Sequence, residues 1–275
     1  MLIIFEKTQK LKSPFFIKCD NIPTMKDKPL IFISDLHLCP TRPEMTRLFT
    51  QFMQTEARRA SALYILGDFF DFWFGDDDLN DFSRLIIQTL RHFTDNGTPC
   101  YFMHGNHDFM VNHRFANMTG IQLLSDPHVI THHDKRYLIS HGDYLCIDDI
   151  EYQRFRSTFT NPRNQKRFLL LPKWIRRVLR RYAGKQSKAH QSKAKYINDI
   201  NHRFAIKECH KYRADTLIHG HTHQPIIDHL QKTSPIKRIT LPAWEEQGGY
   251  LEINSNNETL LKSLELKQKM NATST

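Results

Sequence analysis

Five short apolar runs recur along the chain, LIFIS (30–34), ALYIL (62–66), CYFM (100–103), YLIS (137–140) and TLIH (216–219), and each is followed at once by polar residues. Runs of this length, rich in β-branched and aromatic side chains, read as strands. Asp35 and His37 follow the first, Asp68 the second, Asn106 the third, His141 the fourth, and His221 with His223 the fifth. Helical stretches lie between, over 43–60 and 81–96, the second stopping at Gly97 ahead of Pro99. The alternation predicts an α/β sandwich, and in such folds ligands gather at the carboxyl ends of the strands. A fully parallel sheet does not follow, because HVITHH (128–133) is placed to form a hairpin with the 137–140 strand.

With 275 residues there is room for one large domain or a domain carrying an inserted cap. Five cysteines, Cys19, Cys39, Cys100, Cys146 and Cys209, never form a CxxC pair, so reduced thiols are expected rather than a disulfide framework or thiolate zinc site. The opening MLIIFEKTQKLKS lacks the apolar core and small-residue cleavage site of a signal peptide. No apolar run approaches the roughly 18 to 20 residues that span a bilayer. A cytoplasmic protein is therefore expected.

Charge divides the chain more sharply than hydropathy does. The net charge is +10, yet 152–198 holds fourteen Lys or Arg and no Asp or Glu, which leaves the remainder at −4. Within it, FLLLPKWIRRVLRRYAGK mixes apolar and basic residues at helical spacing, with Pro172 at a new helix start. The expected organisation is an N-terminal extension (1–29), a core (30–151 and 199–255), a basic helical cap insertion (152–198) and a C-terminal tail (256–275) in which a last strand edge gives way to a frayed end.

The strand-end residues carry metal chemistry. In SDLH, Asp35 and His37 stand two apart, which on a strand leaves both on one face, and a hard oxygen beside a borderline nitrogen suits Mn, Fe or Zn. Asp68, in GDFFD, offers two oxygens and can bridge two cations, whereas Asp71 can support the site or cap the following turn, the second being the preferred reading. His221 and His223 repeat the i, i+2 spacing and can serve different metals; His219, nearer the core, is expected to support or pack. The bland reading makes each an ordinary hydrogen-bonded polar residue. It requires five strand ends to acquire D-x-H, G-D, G-N-H-D, H-G-D and G-H-x-H in that order without purpose.

This ordered set resembles the calcineurin-like metallophosphoesterase superfamily over 30–224. The resemblance implies an α-β-β-α fold, a β-sandwich flanked by helices, with one metal held by Asp35, His37, Asp68 and His223 and another by Asp68, Asn106, His141 and His221. It also implies a catalytic pair, His107 with Asp108, that protonates the leaving group or stabilises the transition state. Longer runs, ALYILGDFFDFWFGDDD, CYFMHGNHDF, ISHGDYLCIDDIEYQRFR and SKAHQSKAKYINDIN, extend the similarity through the insertion. They resemble the UDP-2,3-diacylglucosamine diphosphatase family of lipid A biosynthesis. That narrower resemblance implies two Mn2+ ions and a UDP-linked diacylated glucosamine lipid, hydrolysed at the α-phosphorus to UMP and 2,3-diacylglucosamine 1-phosphate. Substrate contacts are implied at Asn106, His107, Asp149, Ser187, Gln191, Lys193 and His221.

The chain departs from that family's pattern at three places: GNHD stands for GNRD, so His107 replaces an arginine, Gln191 replaces an asparagine, and Pro242 replaces a glycine. Neither His107 nor Pro242 removes a metal ligand. Phe168 to Leu171 with Trp174, Ile175 and Leu179 can line a groove for acyl chains or pack the insertion's own helices. The arginines among them fit an anionic inner-membrane surface, and peripheral association with its cytoplasmic face is expected. The same charge would suit a nucleic-acid backbone and a phosphodiesterase acting on it. No nucleic-acid module is recognisable, however, and the interleaved apolar residues are aliphatic more often than aromatic, so no nucleic acid is expected. No obligate protein partner is evident. A binding protein without turnover would be favoured by a missing ligand position, and none is missing.

Overall fold

The computed structural model describes residues 28–179, 199–232 and 234–266. Its first strand, β1 (Leu30–Ile33), is buried along its whole length, as LIFI demands. It pairs in parallel with β2 (Ala62–Leu66), which is followed in the sheet by β3 (Cys100–Met103) and β4 (Gln122–Leu124), also parallel. On its other side lie the antiparallel strands β10 (Gly248–Ile253) and β11 (Thr259–Leu264), which complete six strands in the order β11-β10-β1-β2-β3-β4. A second, five-stranded sheet has the order β5-β6-β7-β9-β8. It contains β5 (His128–His132), β6 (Lys135–Ser140), β7 (Thr216–His219), β8 (Ile226–His229) and β9 (Lys237–Thr240). The expected hairpin is the antiparallel β5–β6 pair, from His128↔Ile139 to His132↔Lys135.

Three apolar layers hold the sandwich together. Phe32, Tyr64, Met103, Ile139, Ile218 and Leu251 meet between the two sheets. On the outer face of the first sheet, α1 (Pro43–Gln54), α2 (Asp81–Asp95) and α3 (His113–Thr119) press Leu48, Phe49, Phe52, Leu90 and Phe115 against Ile31, Ile33 and Phe69. On the outer face of the second, α7 (His202–Tyr212) buries Ala205 and Cys209 against Leu138 and Leu217. Each wholly buried Phe, Leu or Ile contributes about 1.5–3 kcal/mol. The result is the α-β-β-α sandwich, and four cysteines, Cys39, Cys100, Cys146 and Cys209, are buried in it without a disulfide.

Local chemistry sets the helix ends. Pro43 occupies the first turn of α1, and α2 starts at a reciprocal cap in which Asn80 and Ser83 each bond the other's backbone N–H, at 2.9 and 2.8 Å. The expected helix over 43–60 is shorter than its pattern: Thr55 turns its N–H and its hydroxyl onto the Gln51 carbonyl and ends α1, and a 3-10 turn, Ala57–Arg59, follows. The C-terminal boundary also moves. Residues 259–264, expected in a tail, pair with β10 from Gly248↔Leu264 to Ile253↔Thr259, so the core runs past 255. Most of the expected N-terminal extension, 1–27, lies outside the described residues.

Where the insertion was expected, the chain forms α4 (Ile150–Phe159), α5 (Pro162–Leu169) and α6 (173–179). Neither α4 nor α5 contains a fully buried residue. Among the described residues no helix is long and apolar enough to cross a membrane. Phe159 and Phe168 pack on the core, and ion pairs fasten the insertion further. Arg176 grips Asp77 with two bonds of 2.8 and 2.5 Å, Arg177 grips Asp78 at 3.0 and 2.6 Å, and Arg156 joins Asp143 (2.8 Å) to Asp126 (3.2 Å).

Candidate metal centre

The ligand-bearing loops leave β1, β2 and β3 of one sheet and β6 and β7 of the other. Backbone bonds knit them together: Asp35 N–H to the Gly67 carbonyl, His37 N–H to Asp68, and Gly220 N–H to His141. The expectation that Asp35 and His37 share one face of a strand is corrected here. β1 ends at Ile33, and both residues adopt left-handed backbone, φ 54° and 47°. Asp68, His221 and His223 do the same, so five of the eight non-glycine residues with positive φ among the described residues are expected metal ligands. Such backbone costs about 1–3 kcal/mol per residue and concentrates at functional sites.

Three groups of donors result, one of them His37, Asp71 and His107, and the other two made wholly of expected ligands. Asp35, His37 and His223 place their ligand atoms within 4.8 Å of one another, and so do Asp68, His141 and His221. Asp68 sits between the groups: its Oδ2 is 3.9 Å from His37 Nε2 and 3.6 Å from His141 Nε2, while its Oδ1 accepts the His107 backbone N–H at 2.9 Å. Asn106 Oδ1 lies 3.1 Å from His141 Nε2. The structure thus gathers all seven expected ligands on one spot, with Asp68 central. A Cβ on Gly105 would collide with the Asp68 carboxylate, and one on Gly220 with that of Asp35, so these crossings require glycine.

The donor set fits two divalent transition ions. His37 and His223 turn their Nε2 atoms to within 3.4 Å of each other, so that both can face one cation. His141 donates from Nδ1 to the Leu66 carbonyl at 2.9 Å, which leaves Nε2 to face Asp68. Burial holds the pKa of His37 and of His221 down at about 4, keeping both neutral. Burial also opposes charge on His141 and His223, but Asp68 and Asp35 carboxylates outweigh it and lift them to about 9. Despite burial, the surrounding imidazoles hold Asp35 and Asp68 below the ordinary carboxylate value. Cations taken up here would therefore release protons from the second pair.

The expected pairing of His107 with Asp108 is corrected. Asp108 is wholly buried, and its carboxylate accepts backbone N–H groups of Gly105 and Phe69 at 2.8 Å and of Phe70 at 3.3 Å, tying the β2 and β3 loops together. Burial and the nearby Asp68 charge push its pKa up to about 7. His107 instead bonds through Nδ1 to the backbone carbonyl of Asp71, at 2.5 Å, and its ring lies 4.7 Å from that of Phe72. Of the two roles open to Asp71, supporting the site or capping a turn, its backbone carbonyl takes the first. His219, as expected, is held on both ring nitrogens, by Gly220 O and Thr240 Oγ1.

Asp149 caps α4, accepting the Tyr152 N–H at 2.9 Å. Ser187, Gln191 and Lys193 lie outside the described residues. Sequence reasoning missed two features beside the metal loops. Asp143 accepts from Tyr152 Oη (2.5 Å) and Arg156 Nε, which joins the insertion to the His141 loop, and Glu245 accepts from His223 Nδ1 at 3.2 Å. Only the HGD motif pointed to the first, and nothing local pointed to the second.

A two-sheet sandwich with these carboxylate and imidazole loops defines a class. The chain belongs to the calcineurin-like phosphoesterase family, whose model matches residues 28–225. It is 41% identical over 233 residues, 84% of this chain and 97% of the relative, to the UDP-2,3-diacylglucosamine hydrolase of Escherichia coli O7:K1 (strain IAI39 / ExPEC). The enzyme of that name from Escherichia fergusonii is similar at the same identity and coverage.

Proposed function

We propose that this hydrolase cleaves the pyrophosphate of UDP-2,3-diacylglucosamine to UMP and 2,3-diacylglucosamine 1-phosphate, a step of lipid A biosynthesis. Similarity to hydrolases of that name across 97% of their length carries the reading. The exposed apolar side chains of the insertion, Leu170, Trp174, Val178 and Leu179, support it, since a diacylated substrate needs an apolar surface.

Two Mn2+ ions, one held by Asp35, His37, Asp68 and His223 and the other by Asp68, Asn106, His141 and His221, would polarise the α-phosphoryl group and make water a nucleophile near neutral pH. Water adds to the α-phosphorus while the bond to the bridging oxygen breaks, and the lipid 1-phosphate leaves. His107 would deliver the proton that this oxygen takes up, a role supported by the Asp71 carbonyl on Nδ1, which leaves Nε2 on the side of Asp68, 3.9 Å from Oδ2. Asp108 keeps the two loops in register and Asp149 sets the start of α4; by the same similarity Ser187, Gln191 and Lys193 are proposed as substrate contacts.

On the outside of the insertion Leu170 is 84% and Trp174 67% exposed, with Val178 and Leu179 alongside. Arg163, Lys166 and Arg167 are exposed near them. Each basic group near an anionic leaflet is worth about 1 kcal/mol, enough for peripheral association with the cytoplasmic face of the inner membrane. Purified protein with Mn2+ should release UMP from UDP-2,3-diacylglucosamine and sediment with anionic vesicles at low salt only. Hydrolysis of bis-p-nitrophenyl phosphate without UMP release would sink the substrate assignment, and salt-insensitive or absent sedimentation the membrane one.

A further inference from the structure

The loop after β9 contacts both ends of one metal-ligand group. Trp244, fully buried, donates its backbone N–H to the Asp35 carbonyl at 3.0 Å and its indole N–H to Gly249 O at 2.8 Å. Arg42, just ahead of α1, donates one guanidinium nitrogen to the carbonyls of Trp244 (2.8 Å) and Glu245 (2.5 Å). The backbone of Glu245 is thereby fixed although its side chain is 74% exposed. From that fixed backbone the carboxylate reaches His223 Nδ1 at 3.2 Å, and the opposite ring nitrogen, Nε2, faces Asp35 Oδ1 at 3.5 Å.

We infer that Glu245 is a positioning residue for one of the two cation sites: by accepting the Nδ1–H of His223 it selects the tautomer whose Nε2 lone pair faces Asp35 and His37. An imidazole ligand needs its other nitrogen held, and partners of this kind typically set metal affinity within 10–100-fold. His141 has a backbone carbonyl for the purpose, whereas the partner of His223 is a side chain. The two sites therefore differ in how they are secured, and Glu245 acts on the Asp35–His37–His223 group alone. The inference rests on the two-cation reading above.

Titration of the full chain with Mn2+, following free ion by electron paramagnetic resonance, tests it without turnover. The parent should bind two ions. Glu245→Ala should leave one affinity unchanged and weaken the other about tenfold, the lower end of that range because the carboxylate is largely exposed. Glu245→Gln, whose amide oxygen still accepts the Nδ1–H, should stay within about threefold of the parent. Thermal unfolding in excess chelator should be the same for all three. Glu245→Ala binding both ions like the parent would overturn the inference, as would Glu245→Gln weakening as much as Ala or an Ala variant that unfolds earlier in chelator. A parent that binds fewer than two ions would overturn the two-cation reading itself.

Discussion

The strand-end loops and the helical insertion are built on opposite plans. Around Asp35, Asp68, Gly105, His141 and Gly220 the chain is buried, crosses itself at glycine and closes on its own backbone through short bonds. In the insertion, α4 and α5 have no fully buried residue, and the attachment combines the half-buried Phe159 and Phe168, packed on the core, with guanidinium–carboxylate pairs such as Arg176–Asp77, 99 residues apart. Atoms that must meet a phosphoryl group demand fixed positions, which backbone closure supplies. Under the proposed function, acyl chains would need area and tolerance, which a clamped helical layer can supply. The clamps also draw on the basic stretch, since Arg156, Arg176 and Arg177 already face carboxylates and are not available to a membrane.

The contrast can be broken or sharpened by substitution. Asp68→Ala should have the largest effect, a fall in UMP release of more than about a thousandfold, beyond the 10–100-fold typical of supporting residues, with neither cation held at parental affinity. A variant that kept one ion tightly and still turned over would deny the centre its shared carboxylate. His107→Ala should lower kcat about 100–1000-fold while Mn2+ binding is unchanged, and undiminished kcat would remove its proton-delivering role. Arg156→Met strikes the insertion, leaving the buried Asp143 and the partly buried Asp126 without their cation; a loss of about 3 kcal/mol in denaturant unfolding is expected. A loss under about 1 kcal/mol, ordinary for a surface substitution, would mean that α4 is held by packing after all.

The smallest effect concerns pH. Bonding to Arg176 holds the Asp77 carboxyl below its ordinary value, despite some burial, so its contribution is complete above the unfolded pKa and is lost as pH falls through the lower folded value. Acidification below about pH 4 should change Trp174 emission in the parent before global unfolding. In Asp77→Asn the change should already be present at neutral pH, and identical emission profiles for the two proteins would separate α6 from this clamp.

The metal loops were legible because each ligand sits within two or three residues of the strand that delivers it, and because Gly67, Gly105 and Gly220 mark the crossings. The supports were not. Asp71 acts through a carbonyl that every residue possesses, and the Asp108 carboxylate answers to the N–H groups of Phe69 and Phe70, some forty positions earlier. The resemblance implied that His107 pairs with Asp108, whereas the Asp108 carboxylate is taken up by backbone N–H groups and His107 bonds to the Asp71 carbonyl. In the fold, the alternating strands and the hairpin were read correctly, while β8 and β9, four residues each and lacking a motif at their ends, were passed over. β11 was missed as core because its TLLKSL pattern is half polar, as an edge strand with one wet face must be.

Left-handed backbone at Asp35, His37, Asp68, His221 and His223 sets the metal loops against the stability of the whole. At about 1 kcal/mol each, the five together weigh roughly 5 kcal/mol, comparable to the net stability of a whole domain, about 5–15 kcal/mol. Glycine at any of these positions would relax the backbone while deleting a ligand. The most durable versions of this chain are therefore inactive ones, and selection for sturdiness alone would erode the metal loops first.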